Sequence, residues 1–492
     1  MIVVLIKRLL KAVLPVTAVK LLKKIYRENK TRPFSDKKDK FQTLRGLDSE
    51  VTVGPGVPEK SSTSGSLKER VQRQNAALKL AVASAKKMRD EGRLFEACDE
   101  LLGFQANFPE ENRHLALLAN LLAMCGKFEM ALPIFEKLIV NDPENSQLKL
   151  RKADCLTGLG QFENAARALE SADLKKISSS KAVVRRVSHL RGLARHSSSP
   201  IERTFSEDVS VAGEVFKLSP VQLRVLSDLN DRGIAITSVY ELLGGEQLWN
   251  DGVNAFEKFK ADDSVAELIS RIKNSVDFDQ DDEFKGKHVP TKVPYDSFFG
   301  TLGADHPVGA LFCEEKILEI AWTYHNCPTK LRNPVMWVNP SVNESNRSGK
   351  KGSQQWHRDQ EDTSILKCFV YYSDVDEKTG ATEYIDQSCE RFSNDEFMFH
   401  PFPFSTGYPN QPFFEGVIGQ PQVTKTVASG RKGSIIFLDT NGFHRGGYVT
   451  QGERLIAMAT FLKETSPVTD DGKKLSIANL SGLTNFQKRT MS

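Results

Sequence analysis

Two short runs carry side chains able to hold one metal ion between them. The first is Gln354-Gln355-Trp356-His357-Arg358-Asp359. In an extended chain residues i and i+2 point to the same side, so His357 and Asp359 can grip one ion together. The second is Phe437-Leu438-Asp439-Thr440-Asn441-Gly442-Phe443-His444, which brings another imidazole to the end of a β-rich run. Two imidazoles and one carboxylate on one face of an octahedral ion leave three positions open, the donor set that suits non-haem Fe(II) and its reactions with O2. Each residue also has a plain alternative. A bare H-x-D arises by chance, His357 can cap a loop, and Asp359 can pair with Arg358.

Arg454 follows His444 by one short connection containing Gly446, Gly447 and Gly452. A hairpin there would set Arg454 on the strand beside His444. A guanidinium pairs bidentately with a carboxylate. The expected ligand is therefore 2-oxoglutarate, its keto-acid end on the metal and its far carboxylate on Arg454. The bland alternative for Arg454 is a surface charge. Order and context favour the site: an H-x-D before a strand-rich run, a late His closing G-S-I-I-F-L-D, and an Arg one turn later. Trp337 and Asn339, on the run before the H-x-D, are candidate pocket residues, with core packing the alternative for Trp337.

The stretches W-H-R-D, K-C-F-V-Y-Y-S-D-V-D-E-K-T-G-A-T-E-Y-I and F-H-R-G-G-Y-V-T-Q-G-E-R together resemble the phytanoyl-CoA dioxygenase family of Fe(II)/2-oxoglutarate-dependent oxygenases. The clear match runs over 334–463. The resemblance implies a double-stranded β-helix (jelly roll), with His357, Asp359 and His444 as iron ligands and Arg454 as the 2-oxoglutarate anchor. It implies no catalytic side chain beyond the metal ligands. The implied reaction is hydroxylation of an unidentified substrate with release of succinate and CO2. Asp359 argues for hydroxylation, because related halogenases carry a small residue there. Gly446 stands where relatives often carry a hydroxyl residue, and Ile385-Asp386-Gln387-Ser388-Cys389 replaces their usual P-G-S-H.

The elements that must position these residues are β-rich: VMWV, SILKCFVYY, ATEYI, GSIIFLD and LIAMATFL, separated by Gly-, Pro- and Ser-rich loops. Many short strands preceded by helix-like segments over about 205–330 predict a β-barrel or sandwich with helical support. The loops 341–355 and 401–422 flank the candidate site and are expected to act either as lids or as ordinary surface loops.

Before this domain the chain repeats itself. Gly92, Gly126 and Gly160 are 34 residues apart. Each is followed at fixed offsets by a bulky residue (Leu94, Phe128, Phe162), an alanine (Ala97, Ala131, Ala165) and a second bulky residue (Leu101, Phe135, Leu169). Pro109 and Pro143 close the first two units. A glycine allows a turn between antiparallel helices, and a small alanine lets them approach. Period and residue types resemble the tetratricopeptide repeat, without its usual early Trp. The resemblance implies a surface that holds a peptide, a protein or a carrier-bound substrate; the alternative is a rigid spacer.

The expected fold class is thus multidomain α + β, a helical-repeat array followed by a jelly roll. The expected divisions are a basic apolar segment (1–30), a flexible linker (31–75), repeats (76–175), a basic linker or capping helix (176–204), the oxygenase domain (205–465) and a tail (466–492).

Residues 1–45 hold 13 Lys/Arg against 3 Asp/Glu, so the rest of this +4 chain sums to −6. The apolar stretches of 1–30 are too broken by lysine to span a bilayer, and peripheral membrane contact or packing on the protein remain the readings. At 39% hydrophobic and 26% charged residues the composition is globular, which excludes a mainly disordered or collagen-like chain. The seven cysteines are odd in number and lack C-x-x-C spacing, which points to a reducing, cytoplasmic setting. Nucleic-acid binding has no motif to support it. The rival to an enzyme is a protein-interaction scaffold whose jelly roll is inactive.

Overall fold

The computed structural model describes residues 67–173, 187, 190–191, 205–275, 291–344, 352–359, 362, 364–389, 408–421, 423–466 and 483–491. The basic segment 1–30, and parts of the 31–75, 176–204, 341–355 and 401–422 segments, lie outside the described residues. The chain divides into two compact units, Met1–Leu121 and Leu122–Ser492. No described helix is long and apolar enough to cross a membrane.

In the first unit, α1 (Leu67–Asp90) and α2 (Leu94–Asn107) form a helix pair. The helix begins nine residues before the expected end of the 31–75 linker. Leu78, Ala81 and Ala85 give it a buried stripe that holds it on its neighbour. Helix α3 (Leu115–Met124) follows, and the second unit opens with α4 (Phe128–Asn141), α5 (Ser146–Gly158) and α6 (Phe162–Glu170).

The three glycines of the 34-residue period share one conformation, with φ of 79°, 68° and 69° at Gly92, Gly126 and Gly160. At each, the amide just after the glycine bonds back five residues: Arg93 to Met88, Lys127 to Leu122, and Gln161 to Leu156, all at 2.8 Å. This is the left-handed glycine cap that turns one helix into the next. Ala97, Ala131 and Ala165 are fully buried, as the close-approach argument requires, and so are Leu101 and Phe135. Gly158 carries the same logic further, since a Cβ there would stand 2.3 Å from the Phe128 ring. Cys98, Cys125 and Cys155 are buried as small core residues. Leu190 is buried in a cluster with Leu150, Leu156 and Leu169, and Arg191 pairs with Glu170 at 2.7 Å.

The remainder of the second unit is a two-sheet structure. A six-stranded antiparallel sheet runs β3-β9-β6-β11-β5-β4, from β3 (Ile234–Ser238), β4 (Val293–Pro294), β5 (Thr329–Pro340), β6 (Leu366–Tyr371), β9 (Ser434–Asp439) and β11 (Glu453–Lys463). A three-stranded sheet runs β10-β7-β8, from β7 (Thr382–Ile385), β8 (Lys425–Ala428) and β10 (His444–Arg445), and His357 adds a bridge to its β10 edge. From β5 to β11 the chain passes repeatedly from one sheet to the other, the winding expected of a jelly roll. Period-two alternation assigns the faces. Ile436 and Leu438 enter the core between the sheets with Tyr371, Tyr384 and Ile456, while Ile435 and Phe437 face the helical layer.

That layer contains α7 (Pro220–Arg232), α8 (Gln247–Ala261), α9 (Asp263–Asn274) and α10 (Glu315–His325). Helix α7 starts with a reciprocal Ser219/Gln222 capping box and ends at Gly233, φ 85°. Two expectations are corrected here. The 205–330 region is not helical alone: it holds the β1 (Asp208–Val211) and β2 (Glu214–Lys217) hairpin, and β3, which extends the large sheet through β9. The 466–492 tail also belongs partly to the domain. Its helix α12 (Asn485–Met491) buries Phe486 and Met491 in the main core, and Trp322 Nε1 donates to Thr490 at 3.0 Å. Strands of four or five residues and a seven-residue helix carry too little periodicity to stand out in sequence.

Candidate metal centre

His357 and His444 meet through the backbone. Each donates its N–H to the other's carbonyl at 3.0 Å, so the main chain sets the spacing of the two imidazoles. Each ring is then fixed by its Nδ1, which lies 2.8 Å from the Gln355 carbonyl for His357 and 2.9 Å from the Gly442 carbonyl for His444. An Nδ1–H donor leaves Nε2 as a lone-pair ligand. Both Nε2 atoms face Asp359, at 4.0 Å from Oδ1 and 3.9 Å from Oδ2. One ligand atom from each of the three residues lies within 4.8 Å of the others. The sequence-predicted triad therefore assembles, and Asp359 does not pair with Arg358. Arg358 instead donates to the Ser388 carbonyl and lies 4.3 Å over the Phe443 ring.

The protonation states suit a metal. Burial, reinforced by its neighbour His357, pushes the His444 imidazole down to about 3. Burial likewise lowers His357, partly opposed by Asp359. Asp359 is held below the usual carboxylate range; burial opposes its charge, and Lys367 and the two imidazoles outweigh it. Neutral imidazoles and an ionised carboxylate are the forms that ligate. Lys367 Nζ contacts Asp359 Oδ2 at 2.5 Å, leaving Oδ1 for a cation.

Arg454 does not sit on a hairpin with His444. β10 pairs with β7, whereas β11 pairs with β5 and β6, so the glycine-rich 446–452 connection crosses between sheets. Arg454 nevertheless reaches back: its guanidinium donates to the Gly380 carbonyl, and Gly380 packs against Gly447, where a Cβ would meet the Gly447 oxygen at 2.7 Å. Its Nε donates to Asn339 Oδ1 at 3.1 Å. Asn339 Oδ1 also accepts from Trp337 Nε1 at 2.7 Å, so both candidate pocket residues belong to the arginine's support. Asn339 and Arg454 are direct partners in the β5–β11 register. Arg454 is buried, and among the described residues its guanidinium donates to the neutral oxygens of Asn339 and Gly380. Burial pulls its pKa down. Burying a cation is costly, and pairing it with an anion relieves that cost.

Further residues join the site that the sequence left unmarked. Tyr408 stacks on His357 with ring centroids 5.4 Å apart and 25° between planes. Helix α11 (Gln411–Ile418) is fastened to both ligand-bearing segments. Gln411 accepts from Trp356 N at 2.8 Å and donates to its carbonyl at 2.9 Å; Glu415 accepts from Trp356 Nε1 at 3.2 Å and pairs with Arg445. Arg445 also pairs with Glu383 at 3.0 Å and covers the Trp356 ring at 4.4 Å. Lys367 had one legible signal: a lysine at an inward position of an alternating strand, between Leu366 and Cys368. His306 caps a helical turn through Val308 N, and the buried His325 bonds the Phe461 carbonyl, both remote in role from ligation.

No protein-family model matches the chain, and no curated protein matches it in sequence. Solved structures give distant likenesses. EctD from S. alaskensis with bound Fe is 15% identical over 57% of this chain and 89% of its own, with a TM-score of 0.34. The epimerase SnoN, crystallised with Fe3+, alpha ketoglutarate and nogalamycin RO, is 13% identical over 49% of this chain and 84% of its own, TM-score 0.31. AviO1 from Streptomyces viridochromogenes Tue57 is 12% identical over 49% of this chain and 95% of its own, TM-score 0.29.

Proposed function

We propose that the chain is an Fe(II)/2-oxoglutarate-dependent dioxygenase of the phytanoyl-CoA dioxygenase type, hydroxylating a substrate not yet identified. The observation that supports it most is the convergence of His357, Asp359 and His444 on one point, with their free ligand atoms turned inward. Bound iron would supply O2 activation coupled to oxidative decarboxylation of 2-oxoglutarate. The chain's own residues do the rest. The Nδ1 hydrogen bonds orient the two imidazoles, and Lys367 holds one oxygen of Asp359. Arg454, held by Asn339 and Gly380, presents its fork to the far carboxylate of 2-oxoglutarate. Tyr408 and α11 shield His357 from water on one side.

The helical array is read as tetratricopeptide-like, recruiting a protein partner or a carrier-bound substrate. We read the protein as cytoplasmic, with segment 1–30 either lying on a membrane surface or packing on the protein itself.

A second reading has one observation in its favour. The Lys367 ammonium already neutralises Asp359, as it would in an inactive jelly roll that serves a repeat scaffold. Anaerobic titration with Fe(II) and 2-oxoglutarate separates the two. A visible charge-transfer band in wild type, lost in His357→Ala and weakened in Arg454→Ala, supports the oxygenase. Its absence from folded wild-type protein supports the scaffold.

A further inference from the structure

The carboxylate of Asp439, at the end of β9, is buried and touches no ligand position, yet segments carrying both halves of the metal centre converge on it. Its Oδ2 accepts from the Tyr324 hydroxyl of α10 at 2.7 Å and from the Ser364 hydroxyl at 3.0 Å. Its Oδ1 accepts from the amides of Ile365 at 3.2 Å and Asn441 at 3.1 Å. Ser364 and Ile365 lie on the connector that follows Asp359, and Asn441 lies in the turn that leads to His444.

The same two stretches are then stitched by the backbone. Thr440 N donates to the Ile365 carbonyl and Asp359 N to the Thr440 carbonyl, both at 2.9 Å; Asn441 Nδ2 donates to the Asp362 carbonyl at 3.2 Å. The turn closes with Gly442 N on the Asp439 carbonyl at 3.0 Å, and the Gly442 carbonyl is the acceptor that orients the His444 ring. A chain of direct hydrogen bonds thus runs from Asp439 to the peptide of Asp359 on one side and to the imidazole of His444 on the other.

A four-acceptor role suits a carboxylate and no other side chain of this size, since all four partners donate. An apolar replacement would remove the acceptor shared by two amides and two hydroxyls at the junction between the Asp359 and His444 segments.

We infer that Asp439 is the positioning residue of the metal centre, fixing the separation of Asp359 and His444 and tying both to α10 through Tyr324. The inference rests on the metal-centre reading above. It calls for a loss of metal affinity of the size typical of outer-shell partners, about 10- to 100-fold, without loss of any ligand.

The test is Co(II) binding to the full chain, read as affinity and as the ligand-field spectrum at saturating metal. Wild type is compared with Asp439→Ala, Asp439→Asn and Tyr324→Phe. The expected result is a weakened affinity and an altered spectrum in Asp439→Ala, with a smaller change in the same direction in Tyr324→Phe. Asp439→Asn, which keeps the amide acceptor, is expected to lie between wild type and alanine. A purely structural role would lower the melting temperature while leaving affinity and spectrum of the folded protein unchanged, and that result overturns the inference. If Asp439→Ala does not fold, wild-type spectra and affinities in both Asp439→Asn and Tyr324→Phe overturn it equally. Failure of wild type to bind Co(II) removes the metal centre itself, an outcome distinct from intact wild-type binding with insensitive variants.

Discussion

Arg454→Met is the perturbation that most sharply tests how the site takes its cosubstrate. The guanidinium is buried, and it donates to two neutral oxygens, those of Asn339 and Gly380. Replacing it with methionine keeps a long apolar stem and removes the charge. The cosubstrate's far carboxylate would then be buried without a cation. Truncating one member of a buried, hydrogen-bonded charge pair costs about 2–5 kcal/mol. A figure of about 3 kcal/mol corresponds to a roughly 100-fold weaker Kd for 2-oxoglutarate. The free protein should respond the other way. Removing a buried charge that has no carboxylate partner among the described residues should leave the melting temperature unchanged or raised, while the stabilisation by 2-oxoglutarate disappears. The assay is anaerobic titration of the Fe(II)-loaded protein, read by its visible band and by the melting temperature at saturating ligand. A matched ligand completes the cycle: 2-oxobutyrate lacks the far carboxylate and should bind wild type and variant alike. A variant Kd within threefold of wild type, or 2-oxobutyrate binding wild type as tightly as 2-oxoglutarate, would refute the assignment of Arg454.

Four further outcomes follow from the same geometry. Asn339→Ala removes an acceptor shared by Arg454 and Trp337 and should weaken 2-oxoglutarate by about 5- to 30-fold, the equivalent of one lost hydrogen bond of about 1–2 kcal/mol; isothermal titration checks this. Lys367→Met removes a cation that both holds one oxygen of Asp359 and competes with a metal for its charge; the competition should dominate and Co(II) binding tighten, so weaker binding in a competition titration would show that the hold outweighs it. For pH, the unfolded state binds a proton at His444 near the ordinary value of about 6.5, while the folded state resists it down to about 3. The unfolded chain therefore binds more protons in that window, and stability should fall with pH below about 6.5; a melting curve series should be flatter in His444→Gln. Phe486→Ala should cost about 3 kcal/mol in a urea titration, because the ring packs on Trp322 with centroids 4.9 Å apart.

The His357–Asp359–His444 cluster was legible because a shared metal would constrain both residue type and order. The i/i+2 spacing of His357 and Asp359 and the strand closing on His444 leave few alternatives. The repeat was legible because three glycines must share one left-handed turn. What surrounds the site was less so. Arg454 was expected on a hairpin with His444: a glycine-rich loop reads as one, and only the sheet register shows that it crosses between sheets. Tyr408 and Asp439 act through contacts made by tertiary folding, and neither has a local signature. Phe486 and Met491 looked like part of a tail because seven residues of helix show no clear period by themselves.

The reciprocal backbone bridge between His357 and His444 has a kinetic meaning. Between those two residues the chain must lay down β6, β7, β8 and β9, so the bridge is a non-local contact that forms only after a long loop is closed. In the unfolded chain only His357 and Asp359 are close enough to share an ion. A cation therefore cannot template this fold from the start, as it does in small metal-nucleated domains. Capture of an ion by this cluster would instead register that both sheets have come together. The time course of Co(II) colour during refolding would consequently follow closure of the jelly roll rather than its early collapse.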